Sequence, residues 1–202
     1  MHKSPTVILI GGPNGAGKTT ISRQVISETL GVAEFVNADT IAQGLSGFDP
    51  ERAAMQAGRI MLHRVRELAS ARANFAFEST LASRTFAPWI ADLVKTGYEF
   101  NLVFVWLRSP ELAIQRMKLR VRKGGHFVPP DTIRRRYQRG IANFVNMYMP
   151  TATRWVVYDN SATAHPVLVA HRDADSRPVI TIAKSWARIL EIASEQTPED
   201  DR

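Results

Sequence analysis

The sequence predicts a three-layer α/β/α fold around a mostly parallel five-stranded sheet, on three observations. Short apolar runs alternate with amphipathic helical segments. A glycine-rich loop joins the first run to the first helix. Later runs end in polar or acidic residues just before a new helix begins. Strands are expected at Thr6–Gly11, Glu34–Asn37, Asn74–Glu78, Asn101–Leu107 and Arg154–Tyr158. Helices are expected between them at Lys18–Leu30, Pro50–Ala73, Thr85–Thr96 and Pro110–Arg122. Asp49-Pro50 and Ser109-Pro110 each place an oxygen-bearing cap before a proline at the first helical position. Asp131 opens a further helix that runs to about Tyr148 and is closed by Pro150. Val167–His171 and Val179–Ala183 then form a C-terminal hairpin, Ser185–Ala193 a helix, and 195–202 a polar tail. With no repeat, low-complexity block or linker, residues 1–202 read as one domain.

The loop is Gly12-Pro13-Asn14-Gly15-Ala16-Gly17-Lys18-Thr19, which fits G-x-x-x-x-G-K-[ST]. A strand, Thr6–Ile10, delivers the chain to it and a helix starts near Lys18, which is the context the motif needs. Glycines let the backbone N–H groups turn inward around phosphate oxygens, with the positive end of the helix dipole behind them. The fold is therefore read as P-loop NTPase or kinase-like. Gly12, Pro13, Asn14, Gly15, Ala16, Gly17, Lys18, Thr19 and Thr20 are the expected nucleotide-binding residues. Lys18 reaches the β- and γ-phosphates, and the Thr19 hydroxyl is the expected Mg²⁺ ligand.

Bulk composition narrows the class. Hydrophobic residues make up 45% and charged ones 22% of the 202, ordinary values for a globular protein. No apolar run approaches the ~20 residues of a membrane span, and no secretory pattern precedes the first strand. The absence of cysteine excludes disulfides and thiolate metal sites and fits a cytoplasmic setting, without a membrane partner. The net charge of +7 is concentrated in one segment. Arg116, Lys118, Arg120, Arg122, Lys123, Arg134, Arg135, Arg136 and Arg139 are interrupted only by the acid Asp131. Beside a P-loop such a run reads as a phosphate clamp in preference to a nucleic-acid patch.

Ligands of parallel α/β sheets bind beyond the carboxyl ends of the strands. Two such ends carry carboxylates, Asp39 after Phe35-Val36-Asn37-Ala38 and Glu78 after Phe75-Ala76-Phe77. Asp39 is the candidate general base for an acceptor hydroxyl, or else a cap for a helix near Ile41. Glu78 would position the acceptor or organise Mg²⁺, and Thr80 would bind substrate or cap the next helix. The strand at 102–107 ends without an aspartate, which favours a small-molecule kinase over a motor ATPase. Residues 120–136 read as a lid, with Gly124-Gly125 as a joint and Pro129-Pro130 stiffening the return. Its arginines, Arg122 and Arg135 foremost, would close on the transferring phosphoryl group. His126 reads as a hinge or substrate contact.

These residues together resemble the zeta toxins and their small chromosomal relatives. The resemblance rests on the P-loop, Val36-Asn37-Ala38-Asp39, Phe77-Glu78-Ser79-Thr80-Leu81-Ala82-Ser83-Arg84, the segment 120–129, Ile133-Arg134-Arg135-Arg136-Tyr137 and Tyr158-Asp159-Asn160-Ser161. It implies a kinase that uses ATP or GTP to phosphorylate the 3′-hydroxyl of the sugar in UDP-N-acetylglucosamine. It implies that Lys18 contacts phosphates, that Asp39 is the base, and that Glu78 and Thr80 hold the sugar nucleotide, with arginines near 120–122 and 135–136 completing the site. Arg84, Arg120, His126 and Arg136 join them as substrate-binding candidates, and an antitoxin protein is the implied partner. The chain departs from the family pattern at Ala82, where the well-known toxins have an arginine four residues after the glutamate; Arg84 stands nearby. Two other readings stay open. One is a kinase for a different small-molecule hydroxyl, on a nucleoside or an antibiotic. The other is a nucleotide-binding regulator that holds nucleic acid through the basic segment.

Overall fold

The computed structural model describes residues 4–25, 34–46, 50–122, 124–125, 127–162 and 165–195. A seven-stranded sheet runs through it. Its strands are β1 (Thr6–Gly11), β2 (Glu34–Val36), β3 (Phe75–Ser79), β4 (Glu99–Trp106), β5 (Arg154–Asp159), β6 (Val167–Arg172) and β7 (Val179–Ile180). The spatial order is β2-β3-β1-β4-β5-β6-β7. The first five strands in that order are parallel, and the last two add on antiparallel. The expected five-stranded sheet is thus present, and the C-terminal hairpin extends it by two strands.

Central position explains composition. β1 lies between β3 and β4, is covered on both faces, and reads as the unbroken apolar run Val7-Ile8-Leu9-Ile10, with no solvent exposure. The helices are α1 (Lys18–Val25), α2 (Ala38–Leu45), α3 (Pro50–Ser70), α4 (Phe86–Lys95), α5 (Pro110–Arg122), α6 (Pro130–Asn143), α7 (Met149–Thr151) and α8 (Ala183–Glu195). The expected helix end at Leu30, the cap at Asp49 and the polar tail beyond 195 fall outside the described residues.

Two departures bear on the site. Asn37, not Asp39, caps α2: its side chain accepts hydrogen bonds from the backbone N–H groups of Asp39 (2.8 Å) and Thr40 (3.1 Å). Asp39 sits in the first helical turn with its carboxylate available for other work. The helix expected through Tyr148 changes to π-helical winding over Phe144–Tyr148. That slip stacks Phe144 on Phe104 (centroids 4.1 Å apart, 9° between planes) and leads the Tyr148 hydroxyl to donate to the Ser83 carbonyl (3.2 Å).

Candidate active site

A cavity of about 870 Å³ opens at the carboxyl ends of β1, β2 and β3. Each strand contributes a segment whose shape follows from its sequence. After β1 the chain makes the P-loop, with Gly12, Gly15 and Gly17 at φ of 145°, 74° and 84°. A Cβ at Gly12 would collide with the Val105 carbonyl oxygen, and one at Gly17 would lie 2.7 Å from Asn160 Nδ2. Only glycine fits either place. The Lys18 ammonium donates to the Gly12 carbonyl (2.8 Å) and the Pro13 carbonyl (3.0 Å). Asn14, Gly15, Gly17, Lys18, Thr19 and Thr20 line the cavity, while Gly12, Pro13 and Ala16 are buried behind them.

β3 delivers Glu78, whose carboxylate accepts from Thr19 Oγ1 (3.2 Å) and from Ser22 Oγ (2.9 Å). It is thereby tied to α1 directly beneath the P-loop. Thr80 follows on the cavity wall, and then the fully buried Leu81, held at the left-handed φ of 60°. Its N–H donates to Ser79 Oγ (3.0 Å) and its carbonyl accepts from Asn143 Nδ2 (2.7 Å), so both ends of the strained residue are anchored. β2 delivers Asp39, whose Oδ2 accepts from Arg120 at 3.0 Å.

The cations divide. Arg116 and Arg120 on α5 and Arg135, Arg136 and Arg139 on α6 line the cavity. Arg122 and Arg84 are exposed and do not line it; Arg120, one half-turn earlier on α5, takes the place expected of Arg122. Arg134 points elsewhere, to Asp131 (3.0 Å) and Glu111 (3.5 Å). His126 lies outside the described residues. The crowding has an electrostatic signature. Burial holds the Lys18 ammonium below the ordinary lysine range, opposed by Glu78 and Asp39 and reinforced by Arg120 and Arg136. Burial and the neighbouring Arg135 also lower Arg136, against the pull of Asp39. A polyanion entering the cavity relieves both strains.

Three contributors escaped the sequence reading. Ser22 lies one turn after Lys18, a spacing that faces the same side of α1. Arg139 repeats the spacing of Arg135 and Arg136 on one face of α6. Asn160 donates through Nδ2 to the Ala16 carbonyl at 2.8 Å, across 144 residues, and no local pattern announces that contact.

Comparison with known proteins gives this geometry a lineage. A family model described as Zeta toxin matches residues 1–166. The chain belongs to the zeta toxin family. Among curated relatives, an uncharacterised protein of Haemophilus influenzae is 27% identical over 126 residues, covering 62% of this chain and 88% of that protein. The toxin PezT of Streptococcus pneumoniae is 32% identical over 122 residues, covering 55% of this chain and 48% of PezT, so the match spans about half of that toxin. Among solved structures, the complex of AvrRxo1-ORF1 with AvrRxo1-ORF2 superposes with a TM-score of 0.74 at 16% identity, over 99% of this chain and 67% of that one. The PezAT toxin–antitoxin system of Streptococcus pneumoniae gives 0.62 at 19% identity, over 96% and 86%. At such identities the superpositions show a shared fold, that of P-loop kinases.

Proposed function

We propose that the protein is a kinase that moves the γ-phosphate of ATP onto the 3′-hydroxyl of the sugar in UDP-N-acetylglucosamine. One observation carries the reading: a single cavity holds the P-loop lysine, the Asp39 carboxylate and five arginines. The P-loop N–H groups and Lys18 hold the triphosphate. Asp39 takes the acceptor proton as the hydroxyl oxygen bonds to the γ-phosphorus. The bond from that phosphorus to the β,γ-bridging oxygen breaks, and its electron pair leaves with ADP. Arg120 and Asp39 are 41% and 54% exposed, a pairing of low net worth, so Arg120 is free to turn to the transferring phosphoryl and release the base. Arg135 and Arg136 neutralise the charge that develops there.

Thr19 Oγ1 and the Glu78 carboxylate, hard oxygen donors 3.2 Å apart at the P-loop, fit Mg²⁺ and would hold it, where it would screen the phosphates. Among the described residues no group of three or more acidic, histidine or cysteine ligands exists, which suits an ion completed by phosphate and water. Family membership supports the kinase reading, and a structure of the AvrRxo1 pair with ATP supports the nucleotide. The PezAT system supports an antitoxin protein as partner. Among the described residues no helix is long and apolar enough to cross a membrane. Five arginines of the basic segment line a concave cavity, which favours a small-molecule kinase over a regulator that grips nucleic acid.

The test is ATP turnover with Mg²⁺, with and without UDP-N-acetylglucosamine, followed by mass spectrometry of the sugar nucleotide. A phosphate on the sugar that disappears in Asp39→Asn, with nucleotide binding intact, is the expected result. Slow hydrolysis with an untouched sugar nucleotide would move the acceptor to another hydroxyl.

A further inference from the structure

We infer that Arg139 binds a phosphate group carried by the acceptor, and so selects phosphate-bearing acceptors over neutral ones. The inference rests on the kinase reading above and assigns a role to a residue outside the phosphoryl-transfer set. Arg135, Arg136 and Arg139 share one face of α6, and all three line the cavity. Arg139 lies three to four residues farther from the lid, roughly 5–6 Å along the helix axis. At that level α6 is locked to the segment that follows β3. A Cβ at Gly140 would collide with the Thr80 carbonyl oxygen. Asn143 Nδ2 donates to the Leu81 carbonyl at 2.7 Å, and the Tyr148 hydroxyl to the Ser83 carbonyl at 3.2 Å. Arg139 is therefore held at the wall formed by Thr80, Ala82 and Ser83, all of which line the cavity. Because β3 lies between β1 and β2, that wall stands between the P-loop and Asp39, where an acceptor hydroxyl has to approach.

The distribution of charge points the same way. The cavity wall carries Lys18 and five arginines against the two carboxylates Asp39 and Glu78, so it is built for more negative charge than those two acids supply. Arg116 donates to the carbonyls of Ser161 (3.3 Å) and Ala162 (3.2 Å), which fixes it at the P-loop edge. Arg120 pairs with the base. A guanidinium on the Thr80–Ser83 wall meets only hydroxyls on a neutral sugar or nucleoside. On a phosphate or diphosphate ester it makes a two-pronged, charge-assisted contact.

The test uses the full chain, saturated with a non-hydrolysable ATP analogue and Mg²⁺, then titrated calorimetrically with UDP. Arg139→Ala, Arg139→Lys and the double variant Ala82→Arg/Arg139→Ala are compared with the wild type. UDP binding should weaken about ten- to a hundredfold in Arg139→Ala, with the analogue's affinity unchanged, which also shows the variant to be folded. Arg139→Lys, which keeps the charge without the fork, should fall between, and an arginine at 82 should restore part of the loss from the facing wall. In turnover with UDP-N-acetylglucosamine the loss should appear in the KM for that acceptor and not in kcat. UDP affinity unchanged in Arg139→Ala, an equal loss for UDP and the analogue, or a wild type that does not bind UDP would overturn the inference. The acceptor is judged separately. A wild type that binds UDP through Arg139 yet transfers nothing to UDP-N-acetylglucosamine sinks that substrate and leaves Arg139 its role. Efficient transfer with an unaltered KM in Arg139→Ala does the reverse.

Discussion

Lys18 shows what function costs at a single side chain. Its ammonium is desolvated, hemmed by Arg120 and Arg136, and held by two P-loop carbonyls. A lysine whose folded pKa lies below its unfolded value opposes folding through the neutral range, and the opposition is relieved as pH climbs toward the ordinary lysine value. Lys18→Met should therefore weaken ATP binding by roughly ten- to a hundredfold or more while leaving the melting temperature at pH 7 equal or higher. A drop of several degrees in a calorimetric scan would show that the two carbonyl bonds outweigh the buried charge. Tyr148 behaves in the opposite sense. Burial pushes its phenol up to about 12, so its neutral form favours the folded state, and that stability is lost as pH rises from the ordinary tyrosine value of 10.0 through about 12. Tyr137, whose hydroxyl donates to the Leu107 carbonyl at 2.7 Å, is raised by burial too. Denaturant titrations across that range should show stability falling with pH in the wild type. In Tyr148→Phe the fall should be shallower, after a neutral-pH cost of about 1 kcal/mol for the lost hydrogen bond.

At the scale of elements, the turn after β5 braces the P-loop. Asn160 reaches Ala16 through its side chain and Trp106 through its backbone N–H (3.0 Å), Ser161 Oγ accepts from the Arg108 N–H (2.8 Å), and Arg116 grips the same turn from α5. Asn160→Ala should keep the fold and raise the dissociation constant for ATP about fivefold, the worth of one hydrogen bond of about 1 kcal/mol that pre-shapes the loop. Unchanged ATP affinity, read by calorimetry, would mean that the glycines alone set its shape. Most elements were legible because their signals are local: a strand-loop-helix motif around Gly12–Thr19, proline at the first turn of α5, and apolar runs in β1 and β4. α2 was visible only as a helix near Ile41, and its cap went to Asn37 because that residue's extended backbone (φ −134°, ψ 121°) aims its side chain at the first two free N–H groups. The π-helical winding at Phe144–Tyr148 was invisible, since it answers to Phe104 and Ser83 on distant segments.

Across the whole molecule, the family match ends at residue 166, yet the core does not. Val169, Ala170, Ile189, Ile192 and Ala193 are buried, and Trp186 stacks on Trp155 with centroids 5.5 Å apart and 7° between planes. Every residue given a role above lies before 167. Even so, a chain cut after residue 166 would uncover the β5 edge and the Trp155 face, so it should lose cooperative thermal unfolding and associate. Circular dichroism melts and size-exclusion chromatography check this; a monomeric fragment melting like the full chain would show the hairpin and α8 to be dispensable.

By itself the sequence determined the P-loop, the parallel α/β layering, the family, and the carboxylates at two strand ends, because each is written within a few consecutive residues. Tertiary structure decided which cations face the cavity. On α5, Arg120 lines it and Arg122 does not; on α6, Arg135, Arg136 and Arg139 line it while Arg134 pairs with Asp131 and Glu111. Periodicity gives the faces of a helix, but only the elements packed against it choose the face that turns inward.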